Sequence, residues 1–386
     1  MRAPDKRVYA RRVASYDDPA LGEAVEAIFD ASAHARSLGA GTRALIKPNL
    51  LAKHVPEHAV TTHPAVLRAV ILALQKRGVR DITVADSPGG VYTPGVMRAV
   101  YRQSGLAAVC EETGAKLYDA CRWGRRASPE GWAQVSSFEL IEPVLEADFI
   151  VDLPKVKTHV MTGMSCAVKN LFGTVPGLQK AEFHMRFPDK QPFGRMLADL
   201  YAAVAPSLVV ADGVLAMEGD GPAGGAPRQL GLILGGEDGY SIDLAVCRLM
   251  GLAPERVPYL AAGMERGACA RSFDEALLWG EPEAAAPQQD YRLPKSYTSI
   301  DFSSRAPRAV RWVLPGLEQK IAPRPKIDRK KCVGCGKCAE ICPGHTIAVQ
   351  NGKAKIDPAG CIRCFCCHEM CPVKAIEVKR FFAFHF

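Results

Sequence analysis

The amino-acid sequence predicts a layered α/β domain on a largely parallel sheet, followed by a small, cysteine-rich α+β domain. Strand-like and helix-like segments alternate from Val8 to about Gly236, which is typical of a sheet covered by helices. The chain has 386 residues, and single cores seldom grow beyond roughly 250 to 300 residues. Nine of its 14 cysteines follow residue 331. These observations together predict two domains.

The elements of the first domain follow one another as strand, loop and helix. Strands are predicted at 43–47, 81–86, 149–153 and 208–211, and helices at 64–76, 94–103 and 193–204, with covering helices at 237–251 and 254–267. Ligands of open α/β sheets bind outside the carboxyl ends of the strands. The loops that follow these strands are therefore where a binding site is expected.

The cysteine-rich segment is an internal repeat with a constant offset of 29 residues. Each half has the spacing C-x2-C-x2-C-x3-C-P, the bacterial ferredoxin run, in which the fourth cysteine ligates the cluster of the other half. Structural zinc asks for two separated ligand pairs, which disfavours that alternative. The sequence therefore predicts two [4Fe-4S] clusters, one held by Cys332, Cys335, Cys338 and Cys371 and the other by Cys361, Cys364, Cys367 and Cys342.

Cys366 is the ninth cysteine of this tail. It has no counterpart in the first half, where Gly336 and Lys337 fill the same gap. Free cysteines are often simply packed in a core, so Cys366 is either a buried spectator or a thiol that faces the first domain.

The predicted domain boundaries are 1–290 for the α/β domain, 291–324 for a basic linker and 325–386 for the ferredoxin domain. Residues 291–331 hold eleven Lys and Arg against three Asp and Glu, a difference of +8 that equals the formal net charge of the chain. We interpret this stretch as a solvated linker that offsets the negative charge of thiolate-ligated clusters, rather than as a surface for an acidic partner or for nucleic acid.

The sequence predicts no membrane span, signal peptide or twin-arginine signal. No apolar stretch approaches the roughly 20 residues that cross a bilayer, and the N-terminus lacks the apolar core of a signal peptide. Arg11 and Arg12 are followed by polar and acidic residues where a twin-arginine signal turns hydrophobic. A cytoplasmic protein without a transmembrane segment is expected.

Several motifs together resemble a known family, the iron–sulfur members of domain of unknown function 362. They are Lys47-Pro48-Asn49-Leu50-Leu51, Thr61-Thr62-His63-Pro64, Asp86-Ser87-Pro88-Gly89-Gly90, Pro154-Lys155-Val156-Lys157-Thr158-His159, Lys169-Asn170-Leu171-Phe172-Gly173, Glu218-Gly219-Asp220-Gly221-Pro222 and the run from Cys361 to Pro372. The resemblance spans nearly the whole chain and implies the fold and the cluster content. The layout of the chain is also faintly similar to that of nickel-dependent lactate racemases, but the sequence shows none of that family's ligand motifs.

The loop after the strand at 149–153 carries the predicted catalytic residues. In an extended chain alternate residues point to the same side, so Lys155, Lys157 and His159 are expected on one side. The two ammonium groups are then expected to face one anion. A short helix at 165–172 carries Lys169, and its N-terminus would add backbone N–H donors. The alternative is a solvated charged loop, since lysines usually face water.

Other polar loops give further candidates. A strand is followed by small residues that would let a cofactor approach the backbone, and the predicted cofactor-binding residues there are Asp86, Ser87, Gly89 and Gly90. A plain tight turn fits this stretch equally well. Asn170 is also predicted to bind the cofactor. A hard cation is a weaker hypothesis for Asp212, Glu218 and Asp220, as is a metal for His54, His58 and His63.

The function expected from these features is an oxidoreductase that relays electrons from two clusters to an anionic small molecule or cofactor, with protons from His159 or a lysine. A redox partner protein, a ferredoxin-like or flavodoxin-like donor, is implied. The alternatives are an electron carrier that docks a partner, and a non-redox epimerase or cofactor-assembly protein with sensing clusters. No Gly-x-Gly-x-x-Gly follows a predicted strand, so the sequence makes no case for a nicotinamide or flavin site of that type.

Overall fold

A computed structural model describes residues 4–131, 134–297 and 323–379 of the protein. Most of the predicted basic linker, residues 298–322, lies outside the described residues. The described strands are β1 (Val8–Arg12), β2 (Arg43–Pro48), β3 (Asp81–Val84), β4 (Lys116–Leu117), β5 (Trp123–Ala127), β6 (Ser137–Ile141), β7 (Phe149–Leu153), β8 (Lys155–His159), β9 (Gly163–Ser165), β10 (Leu208–Glu218), β11 (Ala226–Gly236), β12 (Leu278–Gly280), β13 (Arg324–Ile327), β14 (Ile347–Gln350), β15 (Lys353–Ile356) and β16 (Ile376–Lys379).

The helices cover this framework. They are α1 (Ala20–Ala31), α2 (Pro64–Lys76), α3 (Pro94–Gln103), α4 (Leu106–Thr113), α5 (Glu142–Glu146), α6 (Ala167–Asn170), α7 (Gln179–Arg186), α8 (Lys190–Val204), α9 (Gly239–Met250), α10 (Pro258–Glu265), α11 (Lys337–Glu340) and α12 (Cys366–Glu369). Among the described residues, no helix has the length and apolar character needed to cross a membrane.

Ten of the described strands form one sheet in the order β12-β1-β11-β10-β7-β2-β3-β4, with β8 paired to β10 and β9 paired to β8. The central pairs β10/β7, β7/β2, β2/β3 and β3/β4 are all parallel, whereas β11 runs antiparallel to β10 and β1. The predicted layered, largely parallel α/β fold is therefore confirmed.

Alternate residues of the central strands enter two separate cores. Leu45 of β2 packs in one core, while Ala44 and Ile46 pack in the other. Helices cover both faces of the sheet, so these strands are continuous apolar runs instead of alternating ones. This burial on both faces leaves the strand ends and their loops as the places where polar side chains can gather.

Some predicted bounds differ from the structure for local reasons. The strand predicted at 208–211 continues to Glu218, because β11 pairs with it antiparallel over most of that length. The helix predicted at 254–267 is split, and α10 begins at Pro258, a residue that starts helices but does not continue them. The helix predicted at 165–172 is only α6, followed by a 3-10 turn at Leu171–Thr174.

The C-terminal domain has the predicted α+β character. β13 pairs with β16 and β14 pairs with β15, both antiparallel. The β14–β15 hairpin turns at Asn351 and Gly352, which both have the positive φ that such tight turns require. α11 and α12 each start two residues after the second cysteine of a run, so the sequence repeat is also a structural repeat.

Candidate functional site

The four cysteines of one predicted cluster line a single cavity. They are Cys361, Cys364 and Cys367 of the second run together with Cys342 of the first run. Within the described ranges, no group of three or more His, Cys, Asp or Glu side chains converges on one metal ion. Cysteines placed around a volume instead of a point suit a multi-iron cluster better than a single zinc.

Backbone N–H groups point at the sulfurs of two cysteines, one from each run, that are predicted to ligate the same cluster. The Ala354 N–H donates to Cys332 Sγ at 3.4 Å, and the Ala375 N–H donates to Cys371 Sγ at 3.2 Å. The Ala354 bond lowers the pKa of the Cys332 thiol. Since cluster ligands must be thiolates, these donors favour the form that ligation requires. The residues present therefore fit the iron–sulfur group that the motif implies.

A second, larger cavity lies between the two domains; we call it the interdomain cavity. Its polar lining from the α/β domain is Lys47, Asn49, Asp86, Ser87, Lys157, His159, Ser165, Lys169, Asn170, Lys180 and His184. The ferredoxin domain closes it with Ile341, Cys366, Glu369 and Met370. Leu51 and Pro88 follow β2 and β3, so the cavity lies at the carboxyl ends of these strands, where the open-sheet rule places a ligand.

Lys155 lies outside the lining of this cavity. Its Nζ donates to Asp212 Oδ2 at 2.7 Å and to Tyr16 Oη at 2.8 Å, and both members of the ion pair are fully buried. The expectation that Lys155 and Lys157 face one anion is therefore wrong. Asp212 lies beside Lys155 on the neighbouring strand β10, so a carboxylate distant in sequence already neutralises this ammonium.

Lys157 faces the cavity in a buried environment. Its ammonium donates to Asn49 Oδ1 at 2.6 Å and to the Val60 carbonyl at 3.0 Å, which uses two of its three protons. Burial, reinforced by the neighbouring Lys169 ammonium, lowers the pKa of Lys157 from 10.5 to about 7. A buried lysine with such a pKa exchanges its proton readily near neutral pH.

Lys169 differs from the other cavity lysines because its ammonium has no oxygen partner among the described residues. It lies over the Phe172 ring, 5.4 Å from the centroid. Burial lowers its pKa, and the Glu369 carboxylate partly opposes that effect. Lys169 is half-buried, and an ammonium at a cavity wall with no described acceptor is available for charge-assisted hydrogen bonds to an anionic ligand.

His159 meets Glu369 across the domain boundary. The backbone N–H groups of Met161 and Thr162 donate to His159 Nδ1 at 3.1 and 3.4 Å, so this nitrogen carries a lone pair. The ring proton must then be on Nε2, which lies 3.2 Å from Glu369 Oε1. Burial lowers the pKa of His159 to about 4. A neutral ring held in this tautomer is a poor proton donor, which leaves the lysines for that role.

The predicted helix N-terminus is already occupied by protein. Asp243 accepts hydrogen bonds from the first N–H groups of α6, those of Ala167 at 2.8 Å and Val168 at 3.0 Å. The expectation that these donors bind a substrate anion is therefore wrong. His184 offers an alternative, since its Nδ1 is buried at the cavity without a partner among the described residues.

Lys47 and Asp86 form the buried floor of the cavity. Their charged atoms are 3.2 Å apart, and Lys47 also donates to Asn170 Oδ1 at 2.9 Å. A Cβ atom at Gly173 would collide with both side chains. Asn170 donates in turn to Asp152 at 2.8 Å. Asp86 and Asn170 were predicted to bind a cofactor. Their polar atoms instead contact other side chains of the site.

Ser87 and Gly89 also line the cavity, whereas Gly90 does not. Ser87 Oγ accepts from the Gly177 N–H at 2.8 Å and from Lys180 Nζ at 3.1 Å. Gly89 lacks a side chain where Met370 packs, since a Cβ atom there would stand 2.5 Å from the methionine sulfur. This loop is therefore shaped to receive the ferredoxin domain.

The two cation hypotheses from the sequence are not supported by the described residues. Asp212 pairs with Lys155, and His63 stacks on Tyr16 and caps α2. Glu218 pairs with Arg228 and Arg292, and Asp220 pairs with Lys295. His54 and His58 are a pair 3.5 Å apart without a third ligand.

The second half of the ferredoxin domain docks on the α/β domain through specific contacts. His368 Nε2 lies 3.0 Å from the Asp220 carbonyl, and Lys374 Nζ donates to the Gly225 carbonyl at 3.3 Å. Cys366 is buried and lines the cavity, which supports a thiol that faces the first domain. The second cysteine run is thereby placed beside the lysines.

Sequence reasoning missed several lining residues. Lys47, Asn49 and Glu369 stood within recognised motifs but carried no assigned role, and Lys180 and His184 stood in none. Lys47 had one usable signal, a charge at the end of an otherwise apolar strand. Lys180 and His184 lie on α7, whose position over the cavity has no local signature.

Comparisons with known proteins agree with this architecture. A family model described as "Domain of unknown function (DUF362)" matches residues 44–248, and a 4Fe-4S dicluster domain matches residues 324–372. The thylakoid-associated protein of Synechocystis sp. is 32% identical over 272 residues, which is 70% of this chain and 81% of that protein. Ferredoxin-2 of Desulfomicrobium norvegicum is 50% identical over 28 residues, 7% of this chain and 48% of that protein.

Among solved structures, the lactate racemase apoprotein from Thermoanaerobacterium thermosaccharolyticum matches with a TM-score of 0.40 and 12% identity. The match covers 66% of this chain and 60% of the racemase chain. A crystal structure of a protein from Thermotoga maritima matches with a TM-score of 0.37 and 13% identity, over 64% of this chain and 58% of that one.

Proposed function

The chain belongs to the family of domain of unknown function 362 and is an iron–sulfur protein with a C-terminal 4Fe-4S dicluster domain, and on that premise we propose that it is an oxidoreductase acting on an anionic small molecule. The observation that carries this proposal is the interdomain cavity, because cationic side chains of one domain meet the second cysteine run of the other there. Two bound [4Fe-4S] clusters would supply single electrons.

The residues of the chain have separate roles in this proposal. Lys169 binds the anionic group of the substrate, because its ammonium is free of described acceptors. Lys157 gives a proton to the reduced substrate, because its pKa of about 7 suits proton transfer near neutral pH. His159 and Glu369 join the two domains at the cavity wall. Apolar side chains such as Phe172 and Met370 exclude water.

The proposal is tested with the reduced full-length chain under anaerobic conditions. We expect its cluster absorbance to be reoxidised by a set of small organic acids in a manner that depends on their concentration and saturates. A neutral ester or amide of the same compound is the matched control and should react poorly, since it lacks the anionic group. Reoxidation rates that do not depend on any organic acid would contradict an oxidoreductase and favour a carrier.

The cluster count and wiring are predicted separately. Anaerobically reconstituted protein should hold about eight iron and about eight sulfide per chain, because eight cysteines match two cubane clusters.

Cys342→Ala and Cys361→Ala should each lower the iron content to about four per chain and leave the same residual EPR spectrum, since both residues line one cavity. Cys335→Ala should leave the complementary spectrum, and Cys366→Ala should keep all the iron. Different residual spectra for the first two variants would refute the crossed wiring.

A further inference from the structure

The two halves of the ferredoxin domain share one design but differ in charge. Residues 326–340 contain five Lys and Arg against two Asp and Glu. The equivalent residues 355–369, at the repeat offset of 29, contain two of each. The formal net charge is therefore +3 for the first segment and zero for the second. The repeat itself does not require this difference.

The cysteine loop of the neutral half is buried against the α/β domain, since Cys364 is 8% exposed and Cys366 lines the interdomain cavity. At the equivalent place in the basic half, Cys335 is exposed and the neighbouring Val333 is 62% exposed, whereas Cys332 and Cys338 are as buried as Cys364. An exposed apolar side chain among charged ones is a feature of protein–protein interfaces.

Part of the basic charge on this half is not paired with any carboxylate of the residues that the structure describes. Lys337 pairs with Glu340 at 3.0 Å, and Lys331 lies near Asp328. Arg329 and Lys330 are exposed and form no ion pair with a described carboxylate. These two residues precede the first cluster ligand of the run, Cys332. An acidic surface would complement them beside the exposed cysteine.

We propose that this basic half, residues 326–340, is the docking face for an acidic one-electron carrier protein of the flavodoxin or ferredoxin type. The face rests on the proposed function, since the carrier would give one electron to the first half and be oxidised by one electron, with no proton transferred. Charge complementarity would steer the acidic carrier to this end of the module, away from the end that faces the substrate cavity.

Binding of oxidised flavodoxin to the full-length chain tests the face without any substrate or turnover. The double variant Arg329→Glu and Lys330→Glu should raise the flavodoxin Kd roughly tenfold or more at low ionic strength, and the difference should shrink at high salt because exposed charges are screened. Iron content and cluster spectra should stay as in the parent chain. Arg80→Glu with Arg102→Glu is the matched control, since it makes the same charge change at exposed positions of the α/β domain.

Each outcome decides the proposal. Equal loss of binding in both double variants would show that net charge matters and the face does not. Absence of flavodoxin binding, or binding without salt dependence, would overturn the proposal, and so would attachment to anionic phospholipid vesicles in place of flavodoxin. Binding that behaves as expected while no organic acid reoxidises the clusters would leave the face intact and overturn the oxidoreductase proposal alone.

Discussion

Substitution of Lys157 by arginine is expected to lower the rate of substrate-dependent reoxidation by roughly 10²-fold to 10⁴-fold, the usual contribution of a general acid. Arginine keeps the positive charge, but its guanidinium does not release a proton near neutral pH. The variant therefore separates the loss of proton transfer from the loss of charge. The measurement is anaerobic stopped-flow reoxidation of the reduced chain at saturating substrate.

The pH dependence gives a second readout of the same residue. Burial lowers the pKa of Lys157 to about 7, so the ammonium that can donate a proton predominates below that pH. The wild-type rate should therefore fall as pH rises through about 7, approaching a tenfold loss for each further unit. The Lys157→Arg variant should lose this inflection.

Lys180 is the matched control for the pH experiment, because burial also lowers its pKa to about 7. Its ammonium donates to Ser87 and to the Val175 carbonyl at 2.6 Å, which leaves one free proton, as in Lys157, so the two lysines differ in the role proposed for Lys157. Lys180→Arg should retain the inflection. If Lys180→Arg removes the inflection and Lys157→Arg keeps it, Lys157 is not the proton donor.

Substitution of Lys169 by methionine is expected to weaken substrate binding by roughly tenfold to a hundredfold, since a charge-assisted hydrogen bond is worth about 1.5 to 3 kcal/mol. Methionine preserves the length and apolar stem of lysine over Phe172. The loss should appear in the substrate concentration that gives half-maximal reoxidation. Cluster spectra should be unchanged, because Lys169 ligates no iron.

Lys53→Met is the control for this experiment, as the same chemical change at an exposed position outside the cavity lining. Its half-saturating concentration should match the wild type. Lys169→Arg should recover part of the affinity, since the charge is restored in a bulkier group. Wild-type affinity in Lys169→Met would show that the anionic group binds elsewhere.

The ferredoxin module and the α/β domain both line the interdomain cavity. Glu369 and Met370 of the module complete the wall that the α/β domain leaves open at the strand ends. Gly89 on the facing loop has no side chain where Met370 packs. The site is therefore formed by both domains together, and neither domain supplies the whole lining.

The sequence by itself determined the features that depend on local spacing. The cysteine repeat predicted the ferredoxin domain, and the apolar runs predicted β2 and β7 because these strands are buried on both faces. The bounds of α2 and α3 were predicted to the residue, since each begins at a proline that starts helices readily.

The tertiary structure alone decided which charged groups remain available to a ligand. Asp212, 57 residues beyond Lys155, neutralises that lysine, while Lys169 keeps no such partner. Asp243 likewise occupies the N-terminus of α6. The free energy of a buried charge depends on the groups within a few ångströms of it. Those neighbours come from distant strands and from the other domain, so local sequence patterns carry no record of them.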